Sequence, residues 1–558
     1  MLTGRTNPAT MNAETDLATG NLGVRGRSVS ERYPAKQTAM DWIDANQQQL
    51  SDFDIEIWNY AEPAWREYKS AQAYVDLLRA DGWDVEEGSG EMPTAFVASW
   101  GSGGPVIGAY AEYDAVPGNS QQAVPYPAPR EGLHQWTAGH TDPHSMLGVA
   151  GLTGALAAKH AMEKHNIKGT LKFFGEPAEK LCGSKPIHAT KGYYDGFDAF
   201  IAYHPWPQNT VEWQTHFGAY YACVFTFECK APEAWVDLDL LPDGAGPRAA
   251  GRVTGAIDAL MLMYTNTKFT RDAMFSNTGN WTLNEVILTA GDATADNLPP
   301  RISQIQYAWR TPDLKMQEWI WQVLRQNAKH AAEISGCEVS VRWVSKTRVA
   351  LPNHALADLT WRNLAQIGPP EYDESAKAFG REIQRNLGLS QMDNPFPDAI
   401  THLTPPEVYE EQVRSTLPPW QKFIGADDYV EYMWHAPTVR LLTARPRLRP
   451  PSSTYQYPAW TYLALGGRPE VMDPGMFTAG RTIAATILDL LTQDDELAKA
   501  KDEFVTRTGG GVGGKHWVAP LLPADIVPPH DLRWPEYVQT ARGEEWTIPT
   551  ALTSGEKL

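Results

Sequence analysis

A chain of 558 residues exceeds what one hydrophobic core usually fills, so two domains are expected. Its 42% hydrophobic and 21% charged residues are those of a globular protein. The formal net charge of −19 argues against nucleic acid or an anionic membrane as partner, because both need basic surface. Four cysteines (Cys182, Cys223, Cys229, Cys337) form neither a disulfide framework nor a CxxC zinc site, which points to a reducing cytoplasm. No apolar run reaches membrane-span length and no signal-peptide hydrophobic segment opens the chain, so no membrane association is expected.

Residues 1–35 are polar without hydrophobic period, which predicts a mobile arm. From Ala39 to Ala80 apolar residues recur at helical spacing. Strand-like TAFVASW (from Thr94) and VIGAYAEYDAV (from Val106) come next, then a Pro- and Gln-rich loop over 118–136. The segment Gly139-His140-Thr141-Asp142-Pro143-His144 leads into a helix of small residues, SMLGVAGLTGALAAKHAMEKH. GTLKFFGEPAEK (from Gly169) and FDAFIAYHPW (from Phe197) give two more strands. The strands from Val106, Gly169 and Phe197 each end in polar groups: Glu112 and Asp114, then Glu176, Glu179 and Lys180, then His204. Strands alternating with helices imply a parallel sheet, whose ligands bind outside the carboxyl ends of the strands. Acids, a lysine and a histidine at those ends lead us to expect an enzyme.

After His204 the pattern changes. FGAYYACVFTFEC over 217–229 alternates as a half-buried antiparallel strand; a helix containing GRVTGAIDALMLMYT, strands WTLNEVILTA and ISQIQYAWRT, a helix from Lys315 to Ile334 and the strand EVSVRWVSKT follow. This order predicts an inserted α+β module. The chain returns to helix from Asn353, runs through a Pro-rich excursion over 368–420, then gives YMWHAPTVRLLTA and a last long helix from Met476 to Leu491. The expected fold is α/β: a catalytic domain (36–210 and 346–505) with a mainly parallel sheet flanked by helices, interrupted by a smaller α+β lid domain (211–345). A tail over 506–558, Gly/Pro/Trp-rich and aperiodic, is expected to wrap the surface.

The stretches IWNYAEPAWRE, AEYDAVPG, GHTDPHSMLG, FGEPAEK and AYHP, in this order, resemble the M20 metallopeptidase and amidohydrolase family, in particular its aminobenzoyl-glutamate hydrolase branch. That resemblance implies a lid that also dimerises the protein and a site holding divalent metal. Carried over residue by residue, it implies Asp142, His144 and His204 as ligands of one ion, with Glu179 as the base that activates water. Two imidazoles and a carboxylate suit zinc, manganese or iron with a position left for water. The family's second metal-binding Glu is Lys180 here, and its late His falls on Pro458. Both losses concern one ion, so one divalent metal per chain is expected, with the Lys180 charge near the vacated position. In the lid, the resemblance implies Asn297 and Arg310 as holders of a substrate carboxylate, and it puts Glu233 where the family has a carbonyl-polarising His.

Plainer readings stand beside these. Arg310 is equally a strand residue paired with a lid acid, and Asn297 equally a turn residue. His140 is either a third imidazole of the pocket or structural, and His435 either a replacement ligand or packing. Cys182 reads as a small buried side chain rather than a nucleophile. The leading expectation is hydrolysis of a C–N amide bond in a small carboxylated substrate by a homodimer. The alternatives are deamination, non-peptidic C–N cleavage or elimination in a remodelled site, and a non-catalytic partner subunit.

Overall fold

A computed structural model describes residues 34–230, 254–275, 280–291 and 299–547. The helical spacing after Pro34 resolves into two helices, α1 (Pro34–Tyr60) and α2 (Tyr68–Ala80). Pro34 and Ala35 open α1; the rest of the expected arm lies outside the described residues. Then come β1 (Asp84–Glu87), β2 (Phe96–Ser102), β3 (Val106–Ala111), α3 (His144–His165), β4 (Gly169–Gly175), α4 (Ser184–Thr190), β5 (Ala199–Trp206) and β6 (Thr210–Val211). These strands, with the later β12 (Thr438–Ala444), form a seven-stranded sheet in the order β1-β2-β4-β3-β5-β12-β6. The central strands β4, β3, β5 and β12 are parallel, and the edges pair antiparallel. The mainly parallel sheet expected from the alternating pattern is therefore present.

The small residues of α3 bring the helix unusually close to its neighbours. A Cβ at Gly151 would meet the Tyr110 carbonyl oxygen on β3 at 2.4 Å. Glycine inside a helix costs roughly 0.5–1 kcal/mol relative to alanine, which the close contact offsets. This packing sets the start of α3, and with it His144, at the carboxyl edge of the sheet.

A second sheet comes from the intervening chain. Its strands are β7 (Phe217–Glu228), β8 (Thr282–Thr289), β9 (Ile302–Thr311), β10 (Glu338–Lys346) and β11 (Ile424–Ala426), in the order β10-β7-β9-β8 with β11 on β7. Helices α5 (Ala256–Met274) and α6 (Leu314–Ile334) pack on it; the Asp313 side chain caps α6 by accepting from Met316 N at 2.8 Å. In the remaining chain, α7 (His354–Ile367) is followed by α8 (Glu374–Asn386), α9 (Asp398–Thr401) and α10 (Pro406–Ser415). The Pro-rich excursion thus contains three helices: Asp373 caps α8, and Pro406 sits at the start of α10. Then come α11 (Trp460–Gly466), α12 (Pro469–Thr492) and α13 (Asp494–Thr508). Beyond Gly509, Leu522, Ile526 and Leu532 are buried against Tyr220, Ala222, Val224 and Val344 of the second sheet. Arg66 holds the same tail by donating to the carbonyl oxygens of His530 and Leu532, each at 2.7 Å. No helix among the described residues is long and apolar enough to cross a membrane.

Candidate active site

Four parallel strands deliver charged groups to one edge of the large sheet. Glu112 and Asp114 follow β3, Glu179 and Lys180 form a 3-10 turn after β4, His204 lies near the end of β5, and Arg445 directly follows β12. Ala178, in the left-handed region at φ 57°, turns the chain so that Glu179 and Lys180 stay at the edge. Asp142 and His144 arrive from the loop into α3.

His144 is the centre of the cluster. Its Nδ1 lies 2.7 Å from Asp114 Oδ1, and Asp114 Oδ2 accepts from Lys180 N at 2.8 Å. A carboxylate on Nδ1 fixes the tautomer that leaves the Nε2 lone pair free. Three groups converge on Nε2: Lys180 Nζ at 2.7 Å, Glu112 Oε2 at 3.2 Å and Glu179 Oε2 at 3.3 Å. Glu112 Oε1 accepts from Lys185 Nζ at 2.7 Å, whereas its Oε2 is buried with no hydrogen-bond donor. Lys185, fully buried, also donates to Asp428 Oδ1 at 2.7 Å.

Acceptors facing one another across such distances call for a cation. Ligand atoms of Glu112, His144 and His204 all lie within 4.8 Å of one another, as do those of Asp114, His144 and Glu179, and of Glu179, Asp427 and Asp428. His204 Nδ1 is engaged by the Pro205 carbonyl oxygen at 2.8 Å, which leaves Nε2 as its free atom. A carboxylate oxygen without a donor and two oriented imidazoles form a donor set that fits a divalent transition metal.

The charges are strongly coupled. Burial pushes the Glu179 carboxyl up, but Lys180, His144 and Lys185 outweigh it and hold Glu179 well below the usual carboxylate range. Burial lowers the Lys180 ammonium, yet Glu179, Asp142, Asp114 and Glu112 raise it above its ordinary value. Glu112 moves the other way: burial and the Glu179 charge lift it to about 7 against Lys185. His204, desolvated and near Arg440, falls to about 4 and so stays a neutral imidazole. His144 is pushed down by burial and Lys180 and up by Glu112 and Asp114, and the carboxylates prevail.

His144, His204, Glu179 and Lys180 are thus brought together. Asp142 is adjacent but joins none of the three groups. Its Oδ2 accepts from Lys180 Nζ at 3.2 Å and its Oδ1 from Arg445 Nη1 at 2.5 Å. Arg310, at the end of β9, lies over the Tyr220 ring at 5.6 Å, where the charges of Glu179 and Asp427 act on it. Glu233 and Asn297 fall outside the described residues. Pro458 is exposed. Of the plainer candidates, His140 bonds the Ile57 carbonyl oxygen and is lowered to about 3 by burial and the His144 charge; Cys182 is buried, its thiol pushed well up by desolvation, so it is no thiolate.

Glu112 and Asp114 were visible as polar strand-end residues but not as partners of His144. Arg445 carries the same signal, a charge immediately after a parallel strand, hidden in the run ARPRLRP. Lys185 and Asp428 gave none, being single charges in otherwise ordinary segments.

No protein-family model matches the chain. It is 26% identical over 481 residues to a p-aminobenzoyl-glutamate hydrolase subunit of Escherichia coli, covering 83% of this chain and 93% of that protein. It is 25% identical to the Xaa-Arg dipeptidase of Mus musculus, covering 65% of this chain and 78% of that protein. Among solved structures, an aminobenzoyl-glutamate utilization protein from Klebsiella pneumoniae superposes with a TM-score of 0.50 at 13% identity, covering 80% of this chain and 98% of that one.

Proposed function

We propose that the chain is an M20-like amidohydrolase of the aminobenzoyl-glutamate hydrolase type, hydrolysing the amide bond of a small N-acyl or aminobenzoyl amino-acid-like carboxylate with one divalent ion per chain; its similarity to the Escherichia coli hydrolase subunit and the mouse dipeptidase supports this reading. The observation that carries this reading is the convergence of Glu112, His144 and His204, whose ligand atoms lie within 4.8 Å of one another, with Glu179 Oε2 3.3 Å from His144 Nε2.

In this reading Glu112, His144 and His204 hold the ion; Asp142, which the family pattern puts in that role, lies alongside with its oxygens already engaged. A bound divalent ion would polarise the scissile carbonyl and lower the pKa of water. Glu179 is the base. Kept ionised by its cationic neighbours, its Oε2 takes the proton of the attacking water as the new C–O bond forms. The same oxygen then delivers that proton to the departing amide nitrogen as the C–N bond breaks. Arg310 offers a planar fork to the substrate carboxylate, with Asn297 and Glu233 as further substrate contacts from the same part of the chain. We further infer a homodimer formed through the second sheet, where β8 is an edge strand with Val286 54% and Ile287 44% exposed. Sedimentation velocity at micromolar concentration tests that, and a monomer rejects it.

The deciding experiment supplies zinc or manganese and a panel of N-acyl amino acids that includes aminobenzoyl-glutamate. Equal release of acid and amine is expected, lost in Glu179→Gln. A primary amide and an unsaturated acid in place of the free acid and amine would mean elimination instead. Two stoichiometric metals per chain would refute the single-ion site.

A further inference from the structure

Lys180 sits where an ion would have to bind. Its Nζ is 2.7 Å from His144 Nε2, nearer than either Glu112 Oε2 or Glu179 Oε2. The His144 Nδ1 is committed to Asp114, so Nε2 has one lone pair. That pair accepts from the ammonium or binds a metal, never both.

The ammonium is also anchored. Asp142 Oδ2 accepts from it at 3.2 Å and Glu179 Oε2 at 3.2 Å. Asp142 is in turn clamped by Arg445, which donates Nη1 to Oδ1 and Nη2 to the carbonyl oxygen of Thr141. Arg445 is fixed at its own backbone, where its N–H donates to the Trp206 carbonyl oxygen at 2.6 Å. A charged chain therefore runs from β12 to the imidazole: Arg445, Asp142, Lys180, His144. His144 is fully buried, but the other three members are not sealed. Side-chain exposure is 27% for Arg445, 36% for Asp142 and 17% for Lys180, so the ammonium has solvent to move into.

We propose that Lys180 is a tethered cation that competes with divalent metal for His144 Nε2, and that Asp142 and Arg445 are positioning residues that park it there rather than metal ligands. The inference rests on the reading that His144 is a ligand. It assigns Asp142 a different task from the one the family pattern implies. Uptake of an ion swings Lys180 off the imidazole, still paired with Asp142 or Glu179, and metal affinity is set by how firmly the parked position is held.

The test is equilibrium binding of zinc and of manganese to the chelator-stripped full chain, followed by competition with a chromophoric chelator. Lys180→Met is expected to bind at least ~10-fold more tightly than the parent, because a like charge next to the ion is gone. Asp142→Asn and Arg445→Gln are expected to bind a few-fold more tightly than the parent, and unchanged affinity in both would overturn their assignment as positioning residues. Asp142→Asn binding at least ~10-fold more weakly would identify Asp142 as a ligand and overturn the proposal. So would Lys180→Met binding equally or more weakly, or neither parent nor Lys180→Met binding an ion. Circular dichroism of each variant confirms the native fold; Lys180→Gln is the second variant if Lys180→Met unfolds. Amide hydrolysis is measured separately: tightened binding without hydrolysis by the loaded parent rejects the proposed reaction and leaves the competition standing.

Discussion

Two histidines lie beside the turn that follows β4, and their surroundings differ in one respect that decides what each can do. His188, on α4, has its Nδ1 3.1 and 3.0 Å from the two oxygens of Glu176 and its Nε2 2.8 Å from Ser89 Oγ. Glu176 also accepts from Tyr194 OH at 2.6 Å and Tyr432 OH at 3.2 Å. All five side chains are fully buried, and each polar atom has a partner. The serine–histidine–glutamate order is that of a hydrolytic triad, but it is fully buried and every polar atom in it is already engaged. Around His144, acceptors outnumber donors and the rim is open. Spare acceptors with access, rather than residue types, separate a reactive histidine from a structural one.

The contrast is broken most severely at the base. Glu179→Gln should lower amide hydrolysis by ~10³-fold or more while metal uptake persists, as measured by steady-state turnover and metal analysis. Loss of the metal along with turnover would make Glu179 a ligand instead. Next comes the carboxylate that orients His144. Asp114→Asn should weaken metal binding ~10–100-fold in equilibrium titration, whereas the equivalent change behind His188, Glu176→Gln, should leave it untouched.

A third histidine sharpens the comparison through pH. His435 has Nδ1 3.1 Å from Asp195 Oδ1 but a buried Nε2 with no partner, and burial plus the Arg348 charge lower it to about 3. The unfolded chain takes up this proton as pH falls below 6.5, while the folded chain refuses it until about 3. Stability is therefore full above pH 6.5 and declines on acidification, by ~2 kcal/mol between pH 7 and pH 5 from this group. His435→Gln should flatten that slope in urea midpoints taken at the two pH values; an unchanged slope would place the titration elsewhere. The smallest effect belongs to the sealed cluster. Ser89→Ala should cost ~1–2 kcal/mol of stability by leaving His188 Nε2 unpaired, with turnover per folded molecule unchanged. A fall in turnover would show that the two histidine clusters are coupled.

Much of this was legible along the chain. The strands beginning near Val106, Gly169 and Phe197 were readable because each is a short apolar run closed by polar residues, and parallel strands buried on both faces have that form. Helix α13 was missed, although Asp494, Asp495 and Glu496 in its first turn and Gly509 at φ 69° after its end mark both boundaries. The helices within the Pro-rich excursion went unread because the prolines hid them, although proline serves there as a helix starter.

His144, His204, Glu179 and Lys180 were singled out by the resemblance of their motifs to the M20 family, and they meet because local order places them at strand and helix ends along one edge of the sheet. What the sequence could not order is the competition among those groups once gathered. Arg445 and Lys180 take both oxygens of Asp142, and Glu112 turns a bare oxygen toward His144; these pairs lie as far as 303 positions apart in the chain and meet at 3.2 Å or less. Electrostatic partnership falls off with distance in space and is indifferent to separation along the chain, so only the folded molecule assigns these pairs.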